Sequence, residues 1–288
     1  MKKQAEGSAP AKINLFLDVS GKRDDGYHNL TTVFIPVPGL CDHIRISTTD
    51  SAGIAIACDA DGVPCDHRNL VWQAAAKFAD VVEVEPHWHI VLDKKIPIAA
   101  GLGGGSSDAA TVLLLLNDMH DKLLSQNELH HIAADLGADV PYFLNPRPAV
   151  GKGRGDVLQP ISCNLELPLV LVNPGFPIRA SWAYAHLPST WQHPGLEALT
   201  DAIIRGDLRS MADNSFNVFE YAAFRKFPLL EMLVNDMQKN QECLAVRMSG
   251  SGPTLYAIMN SNKAARNLGE RIKQEFGSKI WVCASLKG

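Results

Sequence analysis

Gly101, Gly103, Gly104 and Gly105 place four glycines in five positions, running into Ser106 and Ser107 behind Lys94 and Lys95, in the stretch KKIPIAAGLGGGSSDAA. A plain connection needs one or two glycines, not four followed by serines. A dinucleotide fingerprint fails, because Ser106 stands where its third glycine belongs. The acid expected about twenty residues on finds only Asp121, in a polar stretch. A Walker loop fails because no lysine follows the glycines. What remains is a phosphate cradle. Residues without Cβ let backbone N–H groups approach a polyphosphate, and the N-terminus of a helix opening near Ser106 faces the anion. Ser106 and Ser107 add hydroxyl donors, and Lys94 and Lys95 are close enough to help neutralise charge.

The elements around this loop can be read from periodicity. AKINLFLDV alternates, with Ile13, Leu15, Leu17 and Val19 on one face and Lys12, Asn14, Phe16 and Asp18 on the other, so Lys12 and Asn14 point the same way. Further strands are predicted at 29–37, 43–48, 53–58 and 87–93, with a helix over 70–82. A helix over 107–118 is apolar almost all round and therefore central and buried. SQNE, Ser125 to Glu128, is a capping box, and Gly137 is placed to end the helix it opens. After Pro160 the order becomes strand, helices, two strands, helix, strand, as in a split βαβ layer of the ferredoxin-like kind. The expected domains are residues 1–160 and 161–288, in an α+β chain.

The 288 residues are 46% hydrophobic with a net charge of −4, which argues against a chain-wide nucleic-acid surface. The six cysteines are scattered with no C-x-x-C pair, the start MKKQAEGSAP has no apolar core, and the longest apolar run, Val112 to Leu116, is far too short for a bilayer. The expectation is a reduced, soluble, cytoplasmic protein without nucleic-acid or membrane partners, a monomer or weak homodimer.

P-x-x-x-G-L-G-G-G-S-S-D-A-A resembles the ATP loop of the GHMP small-molecule kinases. PAKINLFLDVSGKRDDGYHNL, starting at Pro10, and MSGSGPTLYAI, from Met248 to Ile258, extend the likeness over nearly the whole chain in the right order. It is weakest between residues 185 and 225. PAKINL, GYH and LGADVP together resemble the branch acting on a cytidyl diphosphate substrate in the non-mevalonate isoprenoid route.

The resemblance implies an N-terminal domain like the second domain of ribosomal protein S5 and a ferredoxin-like C-terminal domain. ATP, with Mg2+, would be held by Pro97, Ile98, Ala99, Ala100, Gly101, Leu102, Gly103, Gly104, Gly105, Ser106 and Ser107, with Asn69 and one of Lys94 or Lys95, of which Lys94 is assigned. Asp139, which spacing alone would read as an ordinary turn or cap residue, takes the position of the family's catalytic base. Lys12 would stabilise the developing alkoxide. Asn14 would contact the substrate, Tyr27 and His28 the cytosine, and Tyr184 the base's other face. Ala180-Ser181 stands where relatives often have Ser-Thr or Thr-Pro.

Other features read more plainly. His87 and His89 share a strand face without an evident third ligand, so no metal site is assigned. His130 and His131 lie on a surface helix. Arg154 to Asp156 sits in a glycine-rich hairpin, and Gly250-Ser251-Gly252 lacks the first glycine of a nucleophile elbow and fits a tight backbone turn. A kinase for homoserine, mevalonate or a sugar lacks a cytosine to read, so GYH discriminates against it. Retention of both Lys12 and Asp139 argues against a non-catalytic nucleotide-binding regulatory module.

Overall fold

The computed structural model describes residues 2–24, 26, 28–163 and 165–284. The alternation of AKINLFLDV belongs to a longer strand, β1 (Gln4–Lys22), followed by β2 (His28–Thr48). Two separate strands, 29–37 and 43–48, are expected where β2 is continuous; it runs on through Pro36 and Pro38, whose fixed φ is compatible with extended backbone. Contacts divide the chain into two compact units. The first takes Met1–Ala11, Leu40–Ile98 and Gly103–Pro146, and the second Lys12–Gly39, Ala99–Leu102 and Arg147–Gly288. β1 therefore begins in the first unit and ends in the second, and β2 does the reverse.

In the first unit, β3 (Gly53–Cys58), α1 (Leu70–Val82) and β4 (His87–Asp93) form a βαβ element, β3 parallel to β4 from Gly53 opposite His87 to Cys58 opposite Leu92. β4 is antiparallel to the end of β2, with His43 opposite Asp93. The periodic stripe of α1 buries Val71, Ala74, Ala75 and Phe78. α2 (Gly104–Met119) is buried on nearly every side between Ser107 and Leu113, as its all-round apolar sequence predicts. α3 (Gln126–Leu136) opens on the expected capping box, the Ser125 and Glu128 side chains each accepting the other's backbone N–H, and Gly137 follows it. α4 (Val140–Phe143) is a single turn with Pro141 near its start.

In the second unit, β5 (Ala149–Gly153) and β6 (Val157–Pro160) form the expected hairpin, with β5 antiparallel to the beginning of β2. Then follow β7 (Leu169–Asn173), α5 (Ala180–Ala185), α6 (Leu196–Arg205), α7 (Leu208–Asp213), β8 (Phe216–Asn217), α8 (Glu220–Lys226), α9 (Pro228–Gln238), β9 (Cys243–Met248), β10 (Leu255–Met259), α10 (Asn262–Phe276) and β11 (Trp281–Ala284). One sheet runs β11-β7-β10-β9 with every neighbouring pair antiparallel, which is the ferredoxin-like order. Its core joins Val170, Val172, Leu255 and Leu268 to Leu17 and Val19 of β1. β8 lies parallel to β1, Phe16 opposite Phe216 and Leu17 opposite Asn217. No described helix is long and apolar enough to cross a membrane.

Asn217 is 1% exposed and holds three backbone groups: Nδ2 donates to the Met248 and Gly250 carbonyls (2.6 and 2.8 Å), and Oδ1 accepts from Phe219 N–H (2.9 Å). Asn217→Ala strands all three in the interior. Urea unfolding is expected to register a loss of about 2–4 kcal/mol. A loss below about 0.5 kcal/mol, the size of an ordinary surface substitution, refutes this role.

Candidate active site

The polar face of β1 does not meet solvent: Lys12 is 4%, Asn14 3% and Asp18 8% exposed. Buried polar groups need partners, and these form a directed series. Lys12 Nζ donates to Asn14 Oδ1 (2.6 Å), Asn14 Nδ2 to Thr32 Oγ1 (2.8 Å), and Thr32 Oγ1 to the Phe16 carbonyl (2.8 Å). The series fixes which end of the Asn14 amide faces the lysine. The Lys12 ammonium also lies 5.4 Å from the Phe34 ring centroid, within cation–π range. Asp18 accepts from Trp191 Nε1 (2.6 Å) and has His193 Nε2 at 3.5 Å.

Residues 99–102 of the glycine loop belong to this second unit and are held through their carbonyls. Lys12 N–H donates to the Leu102 carbonyl (3.0 Å) and Ser249 Oγ to the Gly101 carbonyl (2.9 Å). Gly101 has φ +78°, and a Cβ there would lie 2.1 Å from the Ser249 carbonyl oxygen, so no other residue fits. Residues 249–252 form the expected tight turn, Gly252 N–H bonding the Ser249 carbonyl (2.9 Å). The Asn14 backbone is tied to the same node: its N–H reaches Ser249 Oγ (3.4 Å) and its carbonyl accepts from Tyr256 Oη (3.0 Å). His28, at the start of β2, stacks on Tyr184 of α5 with centroids 4.9 Å apart and planes 17° off parallel. Both are half-buried. Tyr27 lies outside the described residues.

The first unit carries Pro97, Ile98 and the rest of the loop. α2 opens at Gly104, two residues before the expected start near Ser106. Gly103 is its N-cap, left-handed at φ +74° and without a side-chain cap bond, so the first-turn N–H groups are not capped from within. A Cβ on Gly105 would meet only Leu70 at 3.9 Å, whereas one on Gly104 would meet the Ile96 side chain at 3.1 Å and Asp42 Oδ2 at 3.4 Å. The buried Ser107 hydroxyl has no hydrogen-bond partner among the described residues. Uncapped N–H groups, an open Gly105 and an unsatisfied buried hydroxyl together fit an anionic group. Asn69 caps α1, accepting from Val71 N–H (2.9 Å) and donating to the Pro64 carbonyl (2.7 Å), which leaves one further donor and acceptor on its amide.

The Lys94 ammonium is turned inward. It bonds Asp42 Oδ2 (2.5 Å) and Asp108 Oδ2, while Lys95 pairs with Asp93 at the surface (2.9 Å). Burial alone would lower the Lys94 pKa, but the two carboxylates outweigh it and raise it. Burial likewise pushes Asp108 up to about 7, offset in part by Lys94 and reinforced by Asp42. Asp139 is half-buried at the N-cap of α4, yet its carboxylate makes no capping bond there. Burial first, then the Asp139 charge, raise the neighbouring Tyr142 phenol. No group of three or more His, Cys, Asp or Glu side chains suited to a metal ion occurs among the described residues.

Thr32, Asp42, Asp108, Ser249 and Tyr256 were not singled out by sequence reasoning. Asp42 had a signal in hindsight, as an acid inside a strand otherwise rich in apolar residues. Ser249 and Tyr256 had none, because their partners Gly101 and Asn14 are 148 and 242 residues away.

By the family models that match it, the chain is a small-molecule kinase. Residues 69–146 match the family model "GHMP kinases N terminal domain" and residues 199–279 "GHMP kinases C terminal". The chain is 38% identical to 4-diphosphocytidyl-2-C-methyl-D-erythritol kinase of Citrifermentans bemidjiense, over 97% of each chain. A crystal structure of 4-(cytidine 5'-diphospho)-2C-methyl-D-erythritol kinase is 33% identical, covering 96% of this chain and 98% of its own, with a TM-score of 0.81. Homoserine kinase from Cytophaga hutchinsonii superposes with a TM-score of 0.78 at 19% identity, covering 100% and 97%, and shares the fold. The chain belongs to the 4-diphosphocytidyl-2-C-methyl-D-erythritol kinase family of the GHMP kinases, whose two-domain α+β architecture it has. Membership of a kinase family implies ATP as co-substrate.

Asp108 gives a pH signature. Its folded-state pKa, about 7, lies above its ordinary 3.8. The unfolded chain therefore releases this proton first, and the cost of the buried charge is absent below the lower value and complete above the higher one. Across that window Asp108 makes the fold less stable as pH rises, by at most about 1.4 kcal/mol per pH unit. Asp108→Asn removes the dependence. The stability of the variant relative to the parent, from urea unfolding, is expected to improve steadily from about pH 4 to about pH 7. A flat difference excludes the shift.

Proposed function

We propose that this chain transfers the γ-phosphoryl group of ATP to the 2-hydroxyl of 4-diphosphocytidyl-2-C-methyl-D-erythritol, in the non-mevalonate route to isopentenyl diphosphate. Near-full-length identity with kinases named for this substrate supports the reaction. The observation that carries the base-reading part is the His28–Tyr184 stack: two flat side chains of which one, the imidazole, can both donate and accept hydrogen bonds.

In the proposed mechanism the substrate hydroxyl oxygen forms a bond to the γ-phosphorus as the bond to the ADP oxygen breaks. Asp139 takes the hydroxyl proton, and Lys12 offsets the negative charge developing on the oxygen. Asn14, oriented by Thr32 and Lys12, presents its amide to the substrate. Residues 97–107 line the phosphates, with backbone N–H groups between Ile98 and Ser106 and the Ser107 hydroxyl as donors, and with Asn69 toward the nucleotide. Mg2+ would supply charge neutralisation at the phosphates, and would be held mainly by phosphates and water. Asp42 and Asp108 have an ammonium between them, where a divalent ion would have to sit.

Asp139→Asn keeps shape and removes the proton acceptor, so kcat is expected to fall on the order of 10²–10⁴ with ATP affinity nearly intact. Turnover above about a third of the parent rate removes Asp139 from the role of base. Lys12→Met should lose activity in the same way, and the double variant should lose much less than the product of the two.

Substrate choice is tested by comparing kcat/KM for the cytidyl substrate and its uridyl analogue, with homoserine and mevalonate alongside. Cytosine and uracil differ at C4 and N3, so a site bonding that edge leaves buried groups unpaired when uracil enters. His28→Ala is expected to reduce the cytidyl preference, and Tyr184→Ala to weaken both pyrimidines alike, since stacking is tolerant of base identity. An unchanged ratio in His28→Ala means that His28 does not read the base. Turnover of homoserine or mevalonate above the cytidyl substrate overturns the assignment.

A further inference from the structure

Below the glycine run lies an ion cluster that the proposed mechanism does not use. Asp42, 0% exposed, sits within β2. Its Oδ1 accepts the backbone N–H groups of Lys95 (2.5 Å) and Ile96 (2.8 Å), the two residues entering the loop. Its Oδ2 accepts from Lys94 Nζ, which also bonds Asp108 on the second turn of α2. The Lys94 side chain is 7% exposed. One carboxylate therefore grips the chain where it enters the loop, and the ammonium ties that carboxylate to the helix where the loop returns. The direction in which a Gly104 Cβ would point, toward Ile96 and Asp42 Oδ2, shows how closely the cluster underlies the cradle.

We propose that Asp42, Lys94 and Asp108 are positioning residues for the nucleotide: they set the geometry of the phosphate loop from beneath, and Lys94 serves ATP through this clasp and not by bonding a phosphate. The inference rests on reading the glycine loop as the triphosphate site. Two of the three donors on the ammonium are committed to carboxylates. Drawing it toward a phosphate would leave two buried anions facing each other without a cation, a strongly unfavourable arrangement. The cluster carries one more negative than positive charge when both carboxylates are ionised, so it offers polyphosphate no net attraction. Its contribution is shape.

The two roles for Lys94 predict opposite signs in one experiment. Asp42→Asn weakens the grip on Lys95 and Ile96, a neutral amide oxygen replacing the carboxylate as their acceptor, and at the same time frees the ammonium from one carboxylate. ATP binding is measured by titration calorimetry on the full chain without the alcohol substrate, so the result does not depend on which alcohol is phosphorylated. Positioning predicts weaker ATP binding, on the order of tenfold to a hundredfold. KM for ATP should rise with it, kcat at saturating ATP should fall far less, and KM for the alcohol substrate should stay put. Unchanged or tighter ATP binding overturns the proposal, because a phosphate-bonding Lys94 would be released. A parallel rise in both KM values with a lowered Tm also overturns it, as a merely structural effect. If Asp42→Asn does not fold, Asp108→Asn takes its place, with weakened ATP binding expected and unchanged binding refuting. A parent protein that binds no ATP fails the underlying reading of the loop, a result distinct from any of these.

Discussion

The proposed phosphate loop, if it is to offer its backbone N–H groups to an anion, cannot spend those groups on its own structure. Its shape must be imposed from outside, and much of the polar architecture follows from this constraint. In the second unit the loop's carbonyls are taken up among the described residues: Ala100 by Thr254, Gly101 by Ser249 and Leu102 by Lys12. In the first unit the N–H groups bound by Asp42 belong to Lys95 and Ile96, just before the glycines. The run leads into a helix whose N-cap, Gly103, makes no side-chain cap bond to the first-turn donors.

The same economy governs β1. A strand with one apolar and one polar face ordinarily puts the polar face in water. Here both faces are buried from Lys12 to Val19, so each polar group needs a partner of matching sense. Lysine only donates, a threonine hydroxyl does both, and an amide does each at a different end. Lys12, Asn14 and Thr32 use these capacities in sequence and end on a backbone carbonyl. An aspartate at position 14 would accept from the lysine but could not donate to Thr32. A leucine at position 32 would leave the amide nitrogen unsatisfied.

Much of this was legible in the sequence. The alternation of β1, the buried character of α2, the capping box at Ser125 and the ferredoxin-like order after residue 160 come from local periodicity and capping chemistry. The proposal of a cradle rests on glycine density, and that of Lys12, Asn14 and Asp139 on the family motifs. Long-range polar pairing was not legible. That Ser249 presses its carbonyl against Gly101, or that Asp42 receives Lys94, depends on which distant segments fold together, and no local pattern encodes it. Nor does alternation reveal whether a polar face is wet: Lys12 in a strand reads as solvated until its surroundings are known. Gly104 is a related case. Its lack of a side chain suggests room for phosphate, but the direction of its missing Cβ shows room made for Ile96 and Asp42.

The passage of β1 into the second unit has a consequence for how the chain is made. Phe16 and Leu17 leave the ribosome two hundred residues ahead of their strand partners, Phe216 and Asn217. At synthesis rates of about 5–20 residues per second, that separation corresponds to roughly 10–40 s. Throughout that interval Leu17 and Val19 have no complete core to enter, because Leu255 and Leu268, which close it, emerge later still. The nascent segment carries an apolar strand face with its hydrogen-bonding edge unpaired, the kind of surface that holdase chaperones cover and that aggregates when left bare. The demand for protection during biosynthesis is thus written into the order of the strands, independently of how stable the finished enzyme is.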